Sequence, residues 1–261
     1  MEAQIRESNW YFRNSGKYFA SQCPRVEIYE REGLCICWGN VDNAFFNSIF
    51  ISNPVQDEDD LETKIQVACH YVREHSYPWV LIVCEDWLPE ELRSHVEEIF
   101  SRHELKLLMK ATGMATDKLI PPVKPIPTLE CVCVDNQETR KAMAYINAVS
   151  YQMRPEKFRE PLEREEFWGK TVFGTVGYLE NKPVSTAMVL WLDGKFYVAF
   201  VATLPEYRNH GYAQTAIRHC LAQAEKKFGK SRTILHSTTA AVPVYKRLGY
   251  QPKAYFSTYT S

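Results

Sequence analysis

The stretch RNHGYAQ, Arg208 to Gln214, places an arginine, a histidine, a glycine and a small residue where an apolar run, FYVAFVATLP, gives way to a helical pattern. Those residue types in that order suit anion binding. The first backbone N–H groups of a helix have no partner inside it and carry partial positive charge, which favours phosphate. Gly211 lets the backbone turn and approach an anion closely. Ala213 stays small for the same closeness, and Arg208 and His210 offer further donors. An ordinary strand-to-helix turn accounts for a lone glycine equally well. Neither G-x-G-x-x-G nor G-x4-G-K-[ST] occurs in the chain, so the two better-known phosphate loops are excluded.

The elements around this loop follow from hydrophobic periodicity. TVFGTVGYL, VSTAMVLWL and KFYVAFVAT read as a three-strand meander with turns at ENKP and DG. After the loop, AQTAIRHCLAQAEKKF predicts a helix whose Ala213, Ala216, Ile217, Cys220, Leu221, Ala224 and Phe228 share one face. Lys226 and Lys227 suit its C-terminal end and Gly229 its stop. RTILHS predicts a strand, AAVPVYKRLG a short helix ended by Gly249, and YQPKAYFSTYT closing strands. Upstream, TLECVCV predicts a strand and NQETRKAMAYINAVSYQ a helix capped by Asn136.

Four prolines in IPPVKPIP, Ile120 to Pro127, cannot sustain a helix or a central strand. The run predicts a stiff linker, 121–127, between domains at 1–120 and 128–261. The first half repeats the plan: strands in VEIYEREGLCICWGN and FFNSIFIS, a helix in DEDDLETKIQVACHYVREH, a strand in PWVLIVCED, a helix in PEELRSHVEEIFSRH and a strand in LKLLMKATG. The shared order, strands then helix, strand, helix, strand, predicts two copies of one fold.

Composition narrows the class. Hydrophobic content of 45% and charged content of 24% fit a soluble globular protein, and a net charge of -1 gives no broadly basic surface for nucleic acid. Apolar runs such as VLIVC are too short to span a bilayer, and MEAQIRESNW lacks a basic-then-apolar signal pattern. Eight cysteines lack C-x2-C zinc spacing, so no metal is expected. The pairs Cys35/Cys37 and Cys131/Cys133 read as buried apolar side chains in a reducing, cytoplasmic compartment.

VATLPEYRNHGYAQTAI resembles motif A of the GNAT superfamily of N-acetyltransferases, [QR]-x-x-G-x-[GA], after a strand and opening a helix. AAVPVYKRLGY resembles its motif B, A-x-x-x-Y-x-x-x-G-[FY], with Ala241, Tyr245, Gly249 and Tyr250 in register. The resemblance covers Thr128 to about Ser261. It implies an α/β fold with a mixed, mostly antiparallel sheet flanked by helices, and acetyl-CoA as co-substrate. Val201, Ala202 and Thr203 match the strand whose backbone pairs with the pantetheine arm. Arg208, Asn209, His210, Gly211, Tyr212, Ala213 and Gln214 match the pyrophosphate loop. Tyr245 matches the general acid toward the departing thiolate. Thr238 stands where the family often has an Asn touching pantetheine. Thr233 stands where some protein N-terminal acetyltransferases carry a catalytic Glu.

Transfer to an amine also needs a proton acceptor, because an alkyl amine has a pKa of about 10 and is mostly protonated at neutral pH. Glu163, Glu165 and Glu166 are candidates, each equally readable as part of a solvated acidic face. His236 is another, on a strand where a histidine is more often structural. Tyr151, Phe167, Trp168 and Trp191 could wall an acceptor pocket, with core packing the default for each. The acceptor is a small-molecule or protein amine. A GNAT fold that senses acyl-CoA without transferring anything is the alternative. The first half has NPVQDEDDLET where its own loop should be. It lacks a glycine there, and Asp57 to Asp60 crowd the helix start and would repel a pyrophosphate. The resemblance implies a degenerate copy there, as in tandem members of the superfamily, with an unrelated α/β domain as the alternative.

Overall fold

The computed structural model describes residues 1–122 and 128–261. Most of the expected linker, 121–127, lies outside the described residues. The chain folds as two compact units. One comprises Met1–Met114, Ser237–Val242 and Pro252–Ser261, and the other Ala115–His236 and Pro243–Gln251. Two short pieces from beyond the expected boundary thus group with the first unit. Among the described residues no helix is long and apolar enough to cross a membrane.

The first unit holds α1 (Glu2–Ser21), β1 (Glu27–Arg31), β2 (Leu34–Trp38), β3 (Asn47–Ile51), α2 (Glu58–Val72), β4 (Val80–Cys84), α3 (Glu90–Arg93), α4 (Val96–Arg102) and most of β5 (Lys106–Thr116). The second holds β6 (Glu130–Cys133), α5 (Gln137–Ser150), α6 (Glu156–Leu162), β7 (Val172–Leu179), β8 (Lys182–Leu192), β9 (Lys195–Thr203), α7 (Tyr212–Phe228), most of β10 (Thr233–Thr238) and most of α8 (Val242–Leu248). The last strand, β11 (Gln251–Thr260), was expected to close the second half. Instead its residues from Phe256 to Tyr259 pair antiparallel with β4, and the first unit's sheet runs β1-β2-β3-β4-β11-β5.

Both faces of that sheet are covered, so its strands carry near-continuous apolar runs. Leu34, Ile36 and Trp38 point to one face with Leu61, Ile65 and Ala68 of α2. Cys35 and Cys37 point to the other, toward Ile5, Phe12 and Ala20 of α1. The eight cysteines are all free, and burial pushes the Cys84 and Cys220 thiols up to about 12.

Three local readings differ from expectation. VEIYEREGLCICWGN is a hairpin, β1 to β2, turning at Glu32 and Gly33, both with positive φ. PEELRSHVEEIFSRH is two helices, interrupted between Arg93 and Val96. Helix α1 was not expected; its buried face mixes Ser8, Asn9, Ser15 and Gly16 with Tyr11 and Ala20, and Ile5 and Phe12 pack beside them.

In the second unit the sheet runs β10-β9-β8-β7-β6. Neighbours are antiparallel except β9 and β10, which are parallel. Helix α5 starts at a reciprocal cap between Asn136 and Thr139. It bonds Thr186 through Asn147, while α7 bonds Thr175 through His219. Thr175 pairs with Ala187, the neighbour of Thr186, so these two helices cover opposite faces of the sheet. Both units are built on one arrangement, a parallel strand pair joined through a helix: β3, α2, β4 in the first and β9, α7, β10 in the second.

Candidate functional site

Two features of β9 open a site beside it. The first is where pairing stops. The last pair between β9 and β10 is Val198 with Leu235, yet β9 runs on to Thr203 and β10 to Thr238. Registered pairing stops there, and among the described residues no strand of the second unit pairs with the β9 edge from Ala199 onward on that side. The second is a bulge. Met188 pairs with Ala199 and Thr186 with Ala202, so Phe200 and Val201 together oppose Ala187. Phe200 sits at φ 46°, in the left-handed region. For an aromatic residue that is strain of about 1–3 kcal/mol, held only where surroundings over-determine it. Side chains take the carbonyls around the bulge. Thr186 Oγ1 donates to Phe200 O at 3.0 Å, Ser185 Oγ to Ala202 O at 3.1 Å and Ser150 Oγ to Thr203 O at 3.1 Å.

Beyond β9 a short 3₁₀ turn, Pro205–Tyr207, leads into the loop. Asn209 (φ 65°) and Gly211 (φ 87°) both take left-handed backbone and swing the chain into α7. Gly211 is the N-cap and has no side chain to bond the first turn. Among the described residues no backbone acceptor meets the amides from Asn209 to Gln214, and the first closed bond is Thr215 N–H to Gly211 O at 3.2 Å. Consecutive open amides at a helix start, next to an exposed loop, are donors of the kind that suit an oxyanion.

The side chains expected to help divide in role. Arg208 donates from Nε to Thr203 O at 3.1 Å and from Nη2 to Ser150 O at 3.2 Å, tying the loop to the ends of β9 and α5. His210 is exposed, stacks on Tyr212, and has Nδ1 3.4 Å from Tyr207 O. Thr238 ends β10 in a segment that groups with the first unit.

Tyr245 lies on α8 and is 7% exposed. Its ring meets Tyr250 edge to face at 5.8 Å, and its hydroxyl has no hydrogen-bond partner among the described residues. Burial, with the phenols of Tyr151, Tyr250 and Tyr197 nearby, raises its pKa above the ordinary tyrosine value, so it stays protonated at neutral pH. Gly249 (φ 101°) ends the helix where any Cβ would crowd Ile120 and the Lys118 carbonyl.

The base candidates are largely engaged. Glu163 pairs with Arg159 at 2.7 Å, Glu165 with Arg140 at 3.8 Å and Glu166 with Arg164 at 3.7 Å. Thr233 is buried and donates to Tyr250 Oη at 2.9 Å. His236 Nδ1 lies 3.0 Å from Tyr197 Oη. Phe167 is fully buried against Phe200 and Trp168 and packs the core, while Trp168, whose Nε1 donates to Leu162 O, and Trp191, stacked on Phe228 at 4.6 Å, are half-buried. Among the described residues no group of three or more His, Cys, Asp or Glu side chains could hold a metal. No local pattern singles out Ser150, Ser185, Thr186 or Asn147, whose bonds run to partners 14 to 53 residues away.

Residues 141–250 match the acetyltransferase (GNAT) family. Solved structures with the same fold include a GCN5-related N-acetyltransferase from Kribbella flavida, at 18% identity and TM-score 0.65 over 93% of this chain and 91% of that one. Another, from Sphaerobacter thermophilus, has 12% identity and TM-score 0.58 over 90% and 75%. A tandem GNAT protein from the clavulanic acid biosynthesis pathway has 11% identity and TM-score 0.51 over 82% and 74%. No curated protein matches the chain by sequence. The family match thus marks a GNAT acetyltransferase segment over residues 141–250, in the second half of the chain.

Proposed function

We propose that the protein is an acetyl-CoA-dependent N-acetyltransferase acting on a primary amine of a small molecule or protein by direct attack in a ternary complex. The observation that carries this reading is the run of open amides from Asn209 to Gln214 beside the unpaired end of β9. The amides suit the pyrophosphate, and the backbone of Val201, Ala202 and Thr203 suits strand-like pairing with the pantetheine arm. The amine attacks the thioester carbonyl, the carbon–sulfur bond breaks, and the thiolate takes a proton. Tyr245, protonated and with a free hydroxyl, is the donor, and the amine's own proton leaves through water or His236. No metal takes part in this scheme.

The first unit has no such cradle. Asp57 Oδ1 accepts from Asp60 N at 2.9 Å, and Asp60 Oδ2 from Gln56 N at 2.9 Å, so α2 closes its own start. We read this unit as a degenerate copy that binds no acetyl-CoA. The arginine pairing of Glu163, Glu165 and Glu166 favours one rival, an acyl-CoA sensor without transfer. Calorimetry with acetyl-CoA, followed by thiol release across a panel of amines and peptides, separates the readings. Binding with turnover supports the transferase, binding without turnover supports the sensor, and no binding removes both.

A further inference from the structure

Behind the bulge in β9 stands a buried relay. Asn147 on α5 and Thr186 on β8 are both fully buried. Asn147 Nδ2 donates to Met143 O at 2.9 Å and to Thr186 Oγ1 at 3.1 Å. A backbone carbonyl can only accept, so the Met143 contact fixes which end of the amide faces it. Both amide hydrogens are then spent, and the Thr186 hydroxyl has its own hydrogen left for Phe200 O. The order runs one way, from Asn147 to Thr186 to the carbonyl of the left-handed residue. It leaves Asn147 Oδ1 buried with no partner. A helix that needed only to pack would gain from an apolar side chain here, since an orphaned buried oxygen is a cost.

We propose that Asn147 and Thr186 are positioning residues for acetyl-CoA, holding the bulge that aims the Val201–Thr203 edge at the pantetheine arm; this rests on the acyl-CoA reading above. The physical reason is register. If Phe200 relaxes to extended backbone the extra residue is absorbed, and a one-residue slip turns each following side chain and peptide group to the opposite side. The relay fixes the only strained residue on the path between the paired half of β9 and its open half. The nucleotide end of the ligand would feel this far less, because its cradle is shaped by the left-handed Asn209 and Gly211 beyond β9, and the second Arg208 contact, to Ser150 O, does not depend on the strand.

The test compares two ligands by calorimetry, acetyl-CoA and adenosine 3′,5′-bisphosphate, which lacks the pantetheine arm. Thr186→Val, close in shape but without the hydroxyl, should weaken acetyl-CoA at least tenfold and the bisphosphate less than twofold. Thr186→Ser, which restores the hydroxyl, should stay within threefold of wild type for both. Asn147→Leu should show the same selective loss at about threefold, and it carries the test if Thr186→Val does not fold. An acetyl-CoA affinity within twofold of wild type in Thr186→Val, or equal losses for the two ligands, overturns the proposal. Wild-type protein that binds neither ligand overturns the acyl-CoA reading itself, a separate result that no variant is needed to see.

Discussion

Helices α2 and α7 occupy the same place in their units, each following one strand of a parallel pair and preceding the other, yet they begin in opposite ways. Helix α7 begins at a glycine with left-handed backbone and leaves its first amides open. Helix α2 begins at Asp57, which caps Asp60, while Asp60 reaches back to Gln56 and also pairs with Lys64. The strands before them differ in the same sense. β9 outruns its parallel partner and bulges, whereas β3 pairs with β4 up to Phe50, one residue short of its end, and holds regular register with β2. One strand–helix–strand arrangement can therefore leave a strand edge and a helix start open or close them, and the difference rests on a few residues at the strand-to-helix turn. Sealing makes the local structure self-sufficient. Opening leaves donors unsatisfied and a strained residue in place, features that a bound anion and a strand-like ligand would compensate.

The sharpest test of the open side is Tyr245→Phe. With the ring kept and the proton donor lost, kcat should fall by about 10²–10⁴, with acetyl-CoA affinity nearly unchanged. A drop below threefold, with chemistry rate-limiting, hands the acid role to water. In wild type the raised pKa keeps the phenol neutral beyond the ordinary tyrosine value of about 10, so kcat should not decline through pH 10 on its account. The same shift makes the phenol's contribution to stability complete below pH of about 10 and lost as pH rises above it, because the unfolded chain ionises first.

Gly211→Val comes next. A branched side chain in the cradle, on backbone that disfavours it, should weaken acetyl-CoA at least tenfold, about 1.4 kcal/mol. Unchanged affinity in a folded variant would place the anion elsewhere. On the sealed side, Asp57→Ala should cost about 1 kcal/mol in urea unfolding through loss of the cap, and it should leave acetyl-CoA affinity alone. If that variant gains a second binding event, the aspartates alone were closing an otherwise competent site. The smallest effect is a count: wild type should bind one acetyl-CoA per chain, and two would erase the contrast between the units.

Local chemistry was legible in advance wherever a segment's own residues settle its structure. Asn136 capped its helix, Gly229 and Gly249 ended theirs, and the meander β7 to β9 formed within a residue or two of the expected limits. The loop around Gly211 was legible for the same reason, since positive φ and an uncapped helix start are properties of adjacent residues. Helix α1 was not anticipated, and its packed side mixes small and polar residues, Ser8, Asn9, Ser15 and Gly16, with apolar ones, Ile5, Tyr11, Phe12 and Ala20.

The sequence by itself determined the punctuation of this protein: which residues start and stop helices, which loop turns left-handed and leaves its helix uncapped, and which helix caps itself with aspartate. Only tertiary structure decided that β11 joins the sheet of the first unit, that β9 and β10 part after Val198, and that Arg208 grips the carbonyls of Thr203 and Ser150. It also decided that Phe200 stands in a bulge held by Thr186 and Asn147. The physical reason is range. Caps and turns are satisfied by groups a few bonds away, whereas strand partners and buried donors are chosen from the whole chain, and no local pattern records which of many apolar or hydroxyl-bearing segments will meet.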